Sequence, residues 1–211
     1  TFVRMITIDE IFRIPQGDPQ AFEAAALELF RLQAATCPPY GEYLNRIGIQ
    51  KEQVKAFRQI PFLPIELFKS HEVYCGEVPP EAVFTSSATT GMVPSRHPMR
   101  SLALYERAFR GAFRTFYGDP ANWSLYALLP NYLRRKGSSL VYMADRLIDD
   151  CWSGGFYLAG SEAPLRDLAS DPHTQILLGA SFALRDLAPR LPPHRHPTGR
   201  TTPRAVGSPP R

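Results

Sequence analysis

The sequence predicts an α/β protein in which a helical N-terminal region packs on a mainly parallel sheet. Residues 7–60 show helical periodicity, whereas the chain after residue 82 alternates apolar runs of strand length with longer amphipathic patterns. Such alternation is typical of a parallel sheet whose strands are joined by helices. Residues 123–129 form an apolar run, as in a strand that is covered on both faces.

Capping signals mark the N-terminal helices. Thr7 and Glu10 have the spacing of a capping box. Asp18 followed by Pro19 is an N-cap and first-turn pair that opens a longer helix. A double proline then ends that helix, and a shorter helix is expected over residues 40–47.

Strands are expected where short apolar runs are bounded by turn residues. Residues 72–75 and 82–84 are two short candidates, and residues 175–181 form a buried one. Residues 60–70 alternate prolines with apolar side chains. Because proline interrupts both helices and ladders, an extended, buried connector fits that segment best. Gly154-Gly155 is predicted to form a turn.

Three helices are expected in the second half of the chain. Residues 102–116 place apolar and aromatic side chains at 3.6-residue spacing, which marks a core-facing stripe. A pair of serines caps the predicted helix over residues 140–151, and a last helix ends near residue 188. Asp145 and Asp149 share one helix face. They lack a partner histidine or a second acidic cluster, so no metal site is predicted.

The clearest chemical signal lies in residues 84–97, which read FTSSATTGMVPSRH. Five hydroxyl residues fall within six positions, a glycine closes the run, and Arg96 and His97 follow. Short hydroxyls donate hydrogen bonds and let the backbone come close, so a loop of this composition after a strand can converge on an anion. A Ser/Thr-rich surface turn is the alternative interpretation. No Walker motif is present in the sequence.

Residues 85–91, TSSATTG, resemble the T-S-S-G-T-T-G phosphate loop of the adenylate-forming enzymes. The wider string over residues 84–97 resembles the acyl-protein synthetase (LuxE-type) branch of that superfamily. Residues 60–69 and 127–143 are similar to the same branch, in the same order. The resemblance spans roughly residues 1–188 and implies an incomplete adenylate-forming N-terminal domain.

The resemblance implies ATP-dependent activation of a carboxylic acid, expected to be a fatty acid. The acid would become an acyl-adenylate, with release of pyrophosphate, and the acyl group would then pass to a protein thiol. ATP and Mg²⁺ are the implied cofactors, and an acyl-acceptor protein or a reductase is the implied partner. The hydroxyl loop would orient and neutralise the outgoing pyrophosphate.

The resemblance assigns the hydroxyl loop and its flanks to phosphate binding and assigns no catalytic residue. Arg96 is the candidate charge partner, and His97 is the weakest candidate because a structural hydrogen bond explains it equally well. The remaining assigned residues are Thr85, Ser86, Ser87, Thr89, Thr90 and Gly91.

Two departures from the family pattern lead us to expect weak or absent turnover. Ala88 stands where the family has glycine, and its methyl group costs on the order of 1–2 kcal/mol if the residue needs a positive φ. The resemblance also stops ahead of the segments that supply the adenine pocket, the metal ligand and the acceptor site. The alternatives are a non-catalytic remnant or interaction subunit, an enzyme completed by a partner chain, and a related acyl-CoA ligase.

The charge balance argues against a nucleic-acid partner. The chain has 24 Lys and Arg against 20 Asp and Glu, a formal net charge of +4. Residues 189–211 hold five of the arginines and no acid, so the remaining chain has 19 cations, 20 anions and a net charge of −1. The basic character therefore belongs to the end of the chain.

Residues 189–211 are predicted to be a disordered tail, and residues 1–188 are assigned to one partial domain. The tail holds seven prolines and few apolar residues, so it cannot bury enough surface to offset its ordering entropy. Because the resemblance stops abruptly near residue 188, we expect an out-of-frame or artefactual end. Sequencing of the parent DNA across that junction would test this expectation.

Cysteine usage and hydropathy predict a cytoplasmic protein. Cys37, Cys75 and Cys151 lie far apart in sequence without C-x-x-C spacing, which argues against a disulfide framework or a zinc site. We interpret them as small, buried apolar side chains. No secretory signal and no run of roughly 18–20 apolar residues is visible, so no membrane span is expected.

Overall fold

The computed structural model describes residues 7–14, 17–86, 93–129, 137–158 and 163–190. The chain separates into two units, Thr1–Tyr105 and Glu106–Arg211. Both contain helices and strands, so the prediction of a mixed α/β protein is confirmed. No helix in the described stretches is long and apolar enough to cross a membrane. The predicted tail begins at residue 189 and almost all of it lies outside the described residues, so the division at residue 188 stays a prediction.

The first unit begins with helices and ends with an antiparallel strand pair. Its elements are α1 (Ile8–Phe12), α2 (Pro19–Thr36), α3 (Pro38–Arg46), α4 (Leu67–Ser70), β1 (Ala82–Thr85) and β2 (Arg96–Met99). Its buried core cluster consists of Leu27, Phe30, Cys37, Tyr40, Leu44 and Val54.

The predicted helix starts are confirmed by their hydrogen bonds. The Glu10 N–H donates to Thr7 Oγ1 over 3.2 Å, and the Thr7 N–H donates to Glu10 Oε2 over 2.8 Å, which completes the capping box. Asp18 Oδ1 accepts from the Gln20 and Ala21 N–H groups at 3.1 and 2.9 Å. The double proline follows the end of α2 and also begins α3, since the first turn of a helix needs no N–H donor from proline.

The connector over residues 60–70 is buried only in part, since Ile60 and Leu63 pack against the core cluster. Phe62 and Ile65 are 75% and 67% exposed, and the last residues form α4. The carbonyl of Pro61 accepts a 2.6 Å hydrogen bond from the Tyr40 hydroxyl. This contact fixes the backbone of the connector to the core, while the Phe62 and Ile65 side chains stay exposed.

The second unit holds a three-stranded sheet in the order β4-β3-β5. Its strands are parallel, as the sequence predicts. α5 (Leu102–Tyr117) contains the division between the units. The other elements are β3 (Trp123–Leu128), α6 (Ser139–Asp150), β4 (Ser153–Tyr157), α7 (Ala163–Ser170), β5 (Thr174–Gly179) and α8 (Ser181–Leu187).

The central strand β3 is covered on both faces, as its apolar sequence predicts. Residues 125–129 are each at most 2% exposed. Ala127 packs in a cluster with Ala144 of α6, whereas Leu128 packs with Ala183 of α8. Because consecutive strand residues point to opposite faces, these two contacts belong to the two sides of the sheet.

Two shorter segments also differ from their predictions. Residues 72–75 form no strand, and Val73 and Cys75 instead pack against the helical core cluster, which explains their alternating apolar pattern. Gly154 lies inside β4 rather than in a turn, with a φ of 146°. A Cβ atom there would stand 2.0 Å from the carbonyl oxygen of Leu125, so glycine permits the close approach of β4 to β3.

Candidate functional site

Three of the predicted loop residues, Thr85, Arg96 and His97, lie within the two strands of an antiparallel hairpin rather than in a loop. Thr85 of β1 pairs with Arg96 of β2, and Phe84 pairs with His97. Residues directly opposite each other in such a pair lie on the same face, and consecutive residues lie on opposite faces. The hairpin therefore has a Thr85–Arg96 face and a Phe84–His97 face.

Aromatic contacts hold the Phe84–His97 face of the hairpin against the rest of the first unit. The Phe84 ring is 6% exposed and lies 5.6 Å from the Tyr105 ring. The His97 ring stacks on Phe68 of α4, with the ring centroids 4.9 Å apart and an interplanar angle of 25°. Both strands of the hairpin are thus anchored through one face.

Two serines close the base of the connecting segment. The Ser86 N–H donates to the carbonyl oxygen of Ser95 over 3.1 Å, and the Ser95 N–H donates to Ser86 Oγ over 3.0 Å. Ser95 is 7% exposed. This reciprocal pair extends the ladder beyond Thr85 and Arg96, so the ends of the connecting segment are held together by protein hydrogen bonds.

The His97 ring is held by contacts within the protein. Its Nε2 atom lies 3.0 Å from Ser95 Oγ, and one face of its ring is covered by Phe68. The sequence left a structural hydrogen bond and a phosphate contact equally open for this residue. The contacts support the structural hydrogen bond.

Arg96 is exposed on the opposite face of the hairpin. Among the described residues, no carboxylate forms an ion pair with its guanidinium. Thr85, its cross-strand partner, is partly exposed. A guanidinium beside a hydroxyl offers charge-assisted donors suited to a phosphate, so this face fits the predicted chemistry.

Of the eight predicted phosphate-binding residues, the structure describes four. Thr85 and Arg96 share one face of the hairpin, Ser86 follows Thr85 at the end of β1, and His97 lies on the other face. The other four, Ser87, Thr89, Thr90 and Gly91, lie outside the described residues, as does Ala88. Their assignment stays a prediction.

The N-terminus of α5, which follows the hairpin, is occupied by protein groups. The Leu102 N–H donates to Glu81 Oε2 over 2.7 Å, and the Leu104 N–H donates to Ser101 Oγ over 3.3 Å. A free helix N-terminus is a common anion site, but a carboxylate fills this position. The hairpin, rather than the helix start, is therefore the candidate site.

A polar cluster in the second unit was missed by sequence reasoning. Asp171 Oδ2 accepts a 2.6 Å hydrogen bond from the Tyr126 hydroxyl. Asp171 Oδ1 accepts from the His173 N–H over 2.9 Å and lies 3.1 Å from His173 Nδ1. The indole of Trp152, which is 65% exposed, lies 4.6 Å from the His173 ring. The Asp-Pro-His triplet before the predicted strand was the only local signal for this cluster.

Hydrogen bonding keeps the Asp171 carboxylate ionised. Burial of this side chain, which is 6% exposed, would alone raise its pKa. The nearby buried Ser124 hydroxyl and the hydrogen bonds that Asp171 accepts from Tyr126 and His173 outweigh burial and lower the pKa to about 2. The cluster lies before β5, whereas ligands of open α/β sheets bind beyond the carboxyl ends of strands. We interpret it as structural.

Two acidic residues of α6, Asp149 and Asp150, form ion pairs with arginines. Asp150 Oδ2 accepts a 2.6 Å hydrogen bond from Arg110 Nε, and Arg110 also pairs with Glu106. Asp149 lies 3.6 Å from Arg146. In the part of the chain that the structure describes, no group of three or more His, Cys, Asp or Glu side chains could hold a metal ion.

Comparison with protein-family models, curated proteins and solved structures finds no match to this chain. A functional assignment therefore depends on the residues themselves and on the hairpin that positions them.

Proposed function

We propose that the chain provides the ATP phosphate-binding part of an acyl-protein synthetase-like, adenylate-forming enzyme. The observation that carries the proposal is the hairpin, whose Phe84–His97 face is packed while its Thr85–Arg96 face stays open. Residues 87–92, which include most of the hydroxyl-rich run, connect the two strands.

The proposed reaction begins with attack of a carboxylate oxygen on the α-phosphorus of ATP. A P–O bond to the outgoing pyrophosphate breaks, which gives the acyl-adenylate. A thiol of the acceptor then attacks the acyl carbonyl carbon and releases AMP. In this scheme Arg96 and the hydroxyls neutralise charge on the pyrophosphate oxygens.

The described residues do not form a metal-binding group, so no step of the scheme is assigned to Mg²⁺. Protein sites commonly hold Mg²⁺ through one or two carboxylates plus substrate phosphates. The carboxylates of α6 named above are engaged by arginines. In this scheme the role of the chain is to bind and orient the phosphates.

Calorimetry with ATP in the presence of Mg²⁺ tests the proposal. We expect the wild-type chain to bind ATP, the Ala88→Gly variant to bind more tightly, and the Thr89→Ala/Thr90→Ala variant to give no binding heat. Glycine removes the steric cost of a methyl group where the family has none, and the double variant removes two donors. Absence of binding by all three proteins would contradict the proposal.

Binding and turnover are separate questions for this chain. The departure at Ala88 leads us to expect weak or absent pyrophosphate release by the purified protein. Robust release would contradict that expectation and support the full activity. The acyl acceptor would then distinguish a protein thiol from coenzyme A, because the loop is common to both kinds of ligase.

A non-catalytic interaction subunit is the second candidate. The exposed connector favours it, since Phe62 and Ile65 present large apolar side chains three residues apart to solvent. Neighbouring exposed apolar side chains mark surfaces that partners cover. ATP binding that depends on Thr89 and Thr90 would contradict a purely structural subunit.

A further inference from the structure

The strand β5 has the sequence of an interior strand but lies at an edge of its sheet. The strand order is β4-β3-β5, so β5 has a neighbour on one side. Residues 174–179 read TQILLG and carry no charged side chain. Apolar runs of this kind are typical of strands that are covered on both faces within a parallel sheet. The sequence of β5 is therefore suited to a sheet that continues beyond it.

The burial of β5 differs from that of its neighbour β3. Residues 125–128 of β3 are at most 2% exposed, whereas residues 175–179 of β5 are only partly buried. Leu178 packs against the cluster that contains Ala144 of α6, and Ile176 shares its face because alternate strand residues point the same way. On this face α6 packs over β3 and β4. Ile176 and Leu178 therefore keep apolar surface in contact with solvent.

The backbone of β5 also has one side without a strand. One side of β5 pairs with β3, and in the described parts of the chain no strand pairs with the other. Such an edge is a template for another strand, and charges or prolines discourage that pairing. The edge strand β2 contains Arg96 and Pro98. In contrast, β5 has neither a charge nor a proline, and its one glycine is its last residue.

We propose that the outer edge of β5 pairs antiparallel with the β5 edge of a second copy of this chain. A two-fold axis perpendicular to the sheet relates the copies, so the two three-stranded sheets join into one of six strands. That rotation keeps each face of the sheet on its own side. Ile176 and Leu178 of both copies therefore lie on one continuous apolar face. The proposal is independent of ATP binding, so the two can fail separately.

A second copy fits this edge better than other occupants do. Antiparallel pairing about a two-fold axis is self-complementary, since each strand offers the other the same groups. β5 carries no charge that would repel its own copy. The end of the same chain is unsuited, because residues 189–211 contain no proline-free run longer than five residues and proline cannot donate to a ladder. A single pair of edge strands buries less area than a standard interface, so the dimer forms only as protein concentration rises.

Sedimentation velocity of the full chain over a wide range of concentration tests the proposal. We expect the wild-type protein to be a monomer when dilute and a dimer when concentrated. Ile176→Lys places a cation near the middle of β5, where it meets its own copy, and should abolish the dimer. Ile176→Glu should do the same. An equal mixture of the two variants should dimerise again, because opposite charges then face each other across the axis.

Gly155→Lys is the matched control, because it adds the same charge to the other edge strand, β4. A Cβ atom at Gly155 meets only the Tyr157 ring, at 3.6 Å or more, so the change is tolerated locally. This variant should dimerise as the wild type does. Hydrogen exchange of the wild-type chain is a second measurement that needs no variant. The amides of β5 that do not bond to β3 should exchange more slowly at high concentration, and those of β4 should be unchanged.

Three results would each overturn the proposal. A wild-type monomer at every concentration would leave the edge to a strand of another protein. A dimer in which the β5 amides exchange as in the monomer would place the contact elsewhere. Loss of the dimer in both Gly155→Lys and Ile176→Lys would indicate a general effect of charge. The exchange measurement decides the matter if an Ile176 variant fails to fold, which circular dichroism would reveal.

Discussion

The sheet of the second unit and the hairpin of the first use polar side chains in opposite ways. In the sheet unit, the Asp171 carboxylate is 6% exposed and accepts hydrogen bonds from Tyr126 and His173. In the hairpin, Arg96 is exposed beside Thr85. A buried polar group that is hydrogen-bonded within the protein stabilises the folded state, whereas an exposed cation keeps its hydrogen-bond donors available for a ligand.

This difference separates two kinds of variant. Changes in the sheet unit should lower the free energy of unfolding and leave the intrinsic affinity for ATP unaltered. Changes on the Thr85–Arg96 face should do the reverse. Variants in each unit therefore test one side of that division.

The largest expected effect is that of Asp171→Ala. The change leaves the buried Tyr126 hydroxyl and the His173 N–H without their acceptor, and we expect a loss of about 3 kcal/mol in the free energy of unfolding. Urea denaturation followed by circular dichroism measures it. Asp167→Ala is the control, because that exposed carboxylate accepts one hydrogen bond from Tyr157 and should cost less than about 1 kcal/mol. Equal losses would contradict the assigned role of Asp171.

Gly154→Ala tests the close approach of β4 to β3. The added Cβ would collide with the Leu125 carbonyl oxygen, and the φ of 146° is unfavourable for alanine, so we expect a loss of about 2–3 kcal/mol. Gly111→Ala is its counterpart, since a Cβ meets open space there within α5. That variant should gain up to about 1 kcal/mol from helix propensity. Destabilisation by both changes would refute the argument from local space.

Protonation of Asp171 should account for part of the fall in the free energy of unfolding at low pH. Its pKa is about 2 in the folded chain against an ordinary value of 3.8. A lowered folded pKa gives stability that is fully present above the unfolded value and is lost as the pH falls toward the folded one. Between pH 5 and pH 2 we therefore expect the wild-type protein to lose about 2 kcal/mol more than Asp171→Asn does. Parallel pH profiles of the two proteins in urea titrations would count against this cause.

Local sequence signals predicted much of the fold. The capping box at Thr7, the cap at Asp18 and the apolar run of β3 each depend on residues close in sequence, and each was found in the structure. The strand β1 was also located from its apolar residues, whereas β2 was not, because the sequence placed Arg96 and His97 in a loop. These features follow from short-range hydrogen bonding and from the alternation of buried side chains.

What the sequence did not reveal depends on contacts between distant segments. Gly154 resembles a turn residue until β3 lies beside it. The packing of Val73 and Cys75 on the helical core depends on where the segment before β1 lies. The exposure of Phe62 arises because the Pro61 carbonyl, and not the apolar side chain, makes the contact with Tyr40. No periodicity in these segments encodes such contacts.

The smallest expected effect is also the most direct test of the division between the units. Arg96→Gln removes one exposed cation from the hairpin and keeps most of its aliphatic stem. A charge-assisted hydrogen bond to phosphate is worth roughly 1.5 kcal/mol, so ATP affinity in calorimetry should fall about tenfold. The free energy of unfolding should change by less than about 0.5 kcal/mol, as for most surface substitutions.

Arg58→Gln is the matched control, because it removes an exposed arginine from a 3₁₀ turn elsewhere in the same unit. If affinity depends on the net charge of the chain, both variants will weaken ATP binding equally, and the effect will vanish as salt screens it. If Arg96 contacts the phosphates, it alone will show the loss, and much of that loss will persist at high ionic strength. If Arg96→Gln loses stability without losing ATP affinity, Arg96 has a structural role like that of the buried polar groups in the sheet unit. The Thr85–Arg96 face would then no longer support the proposed function.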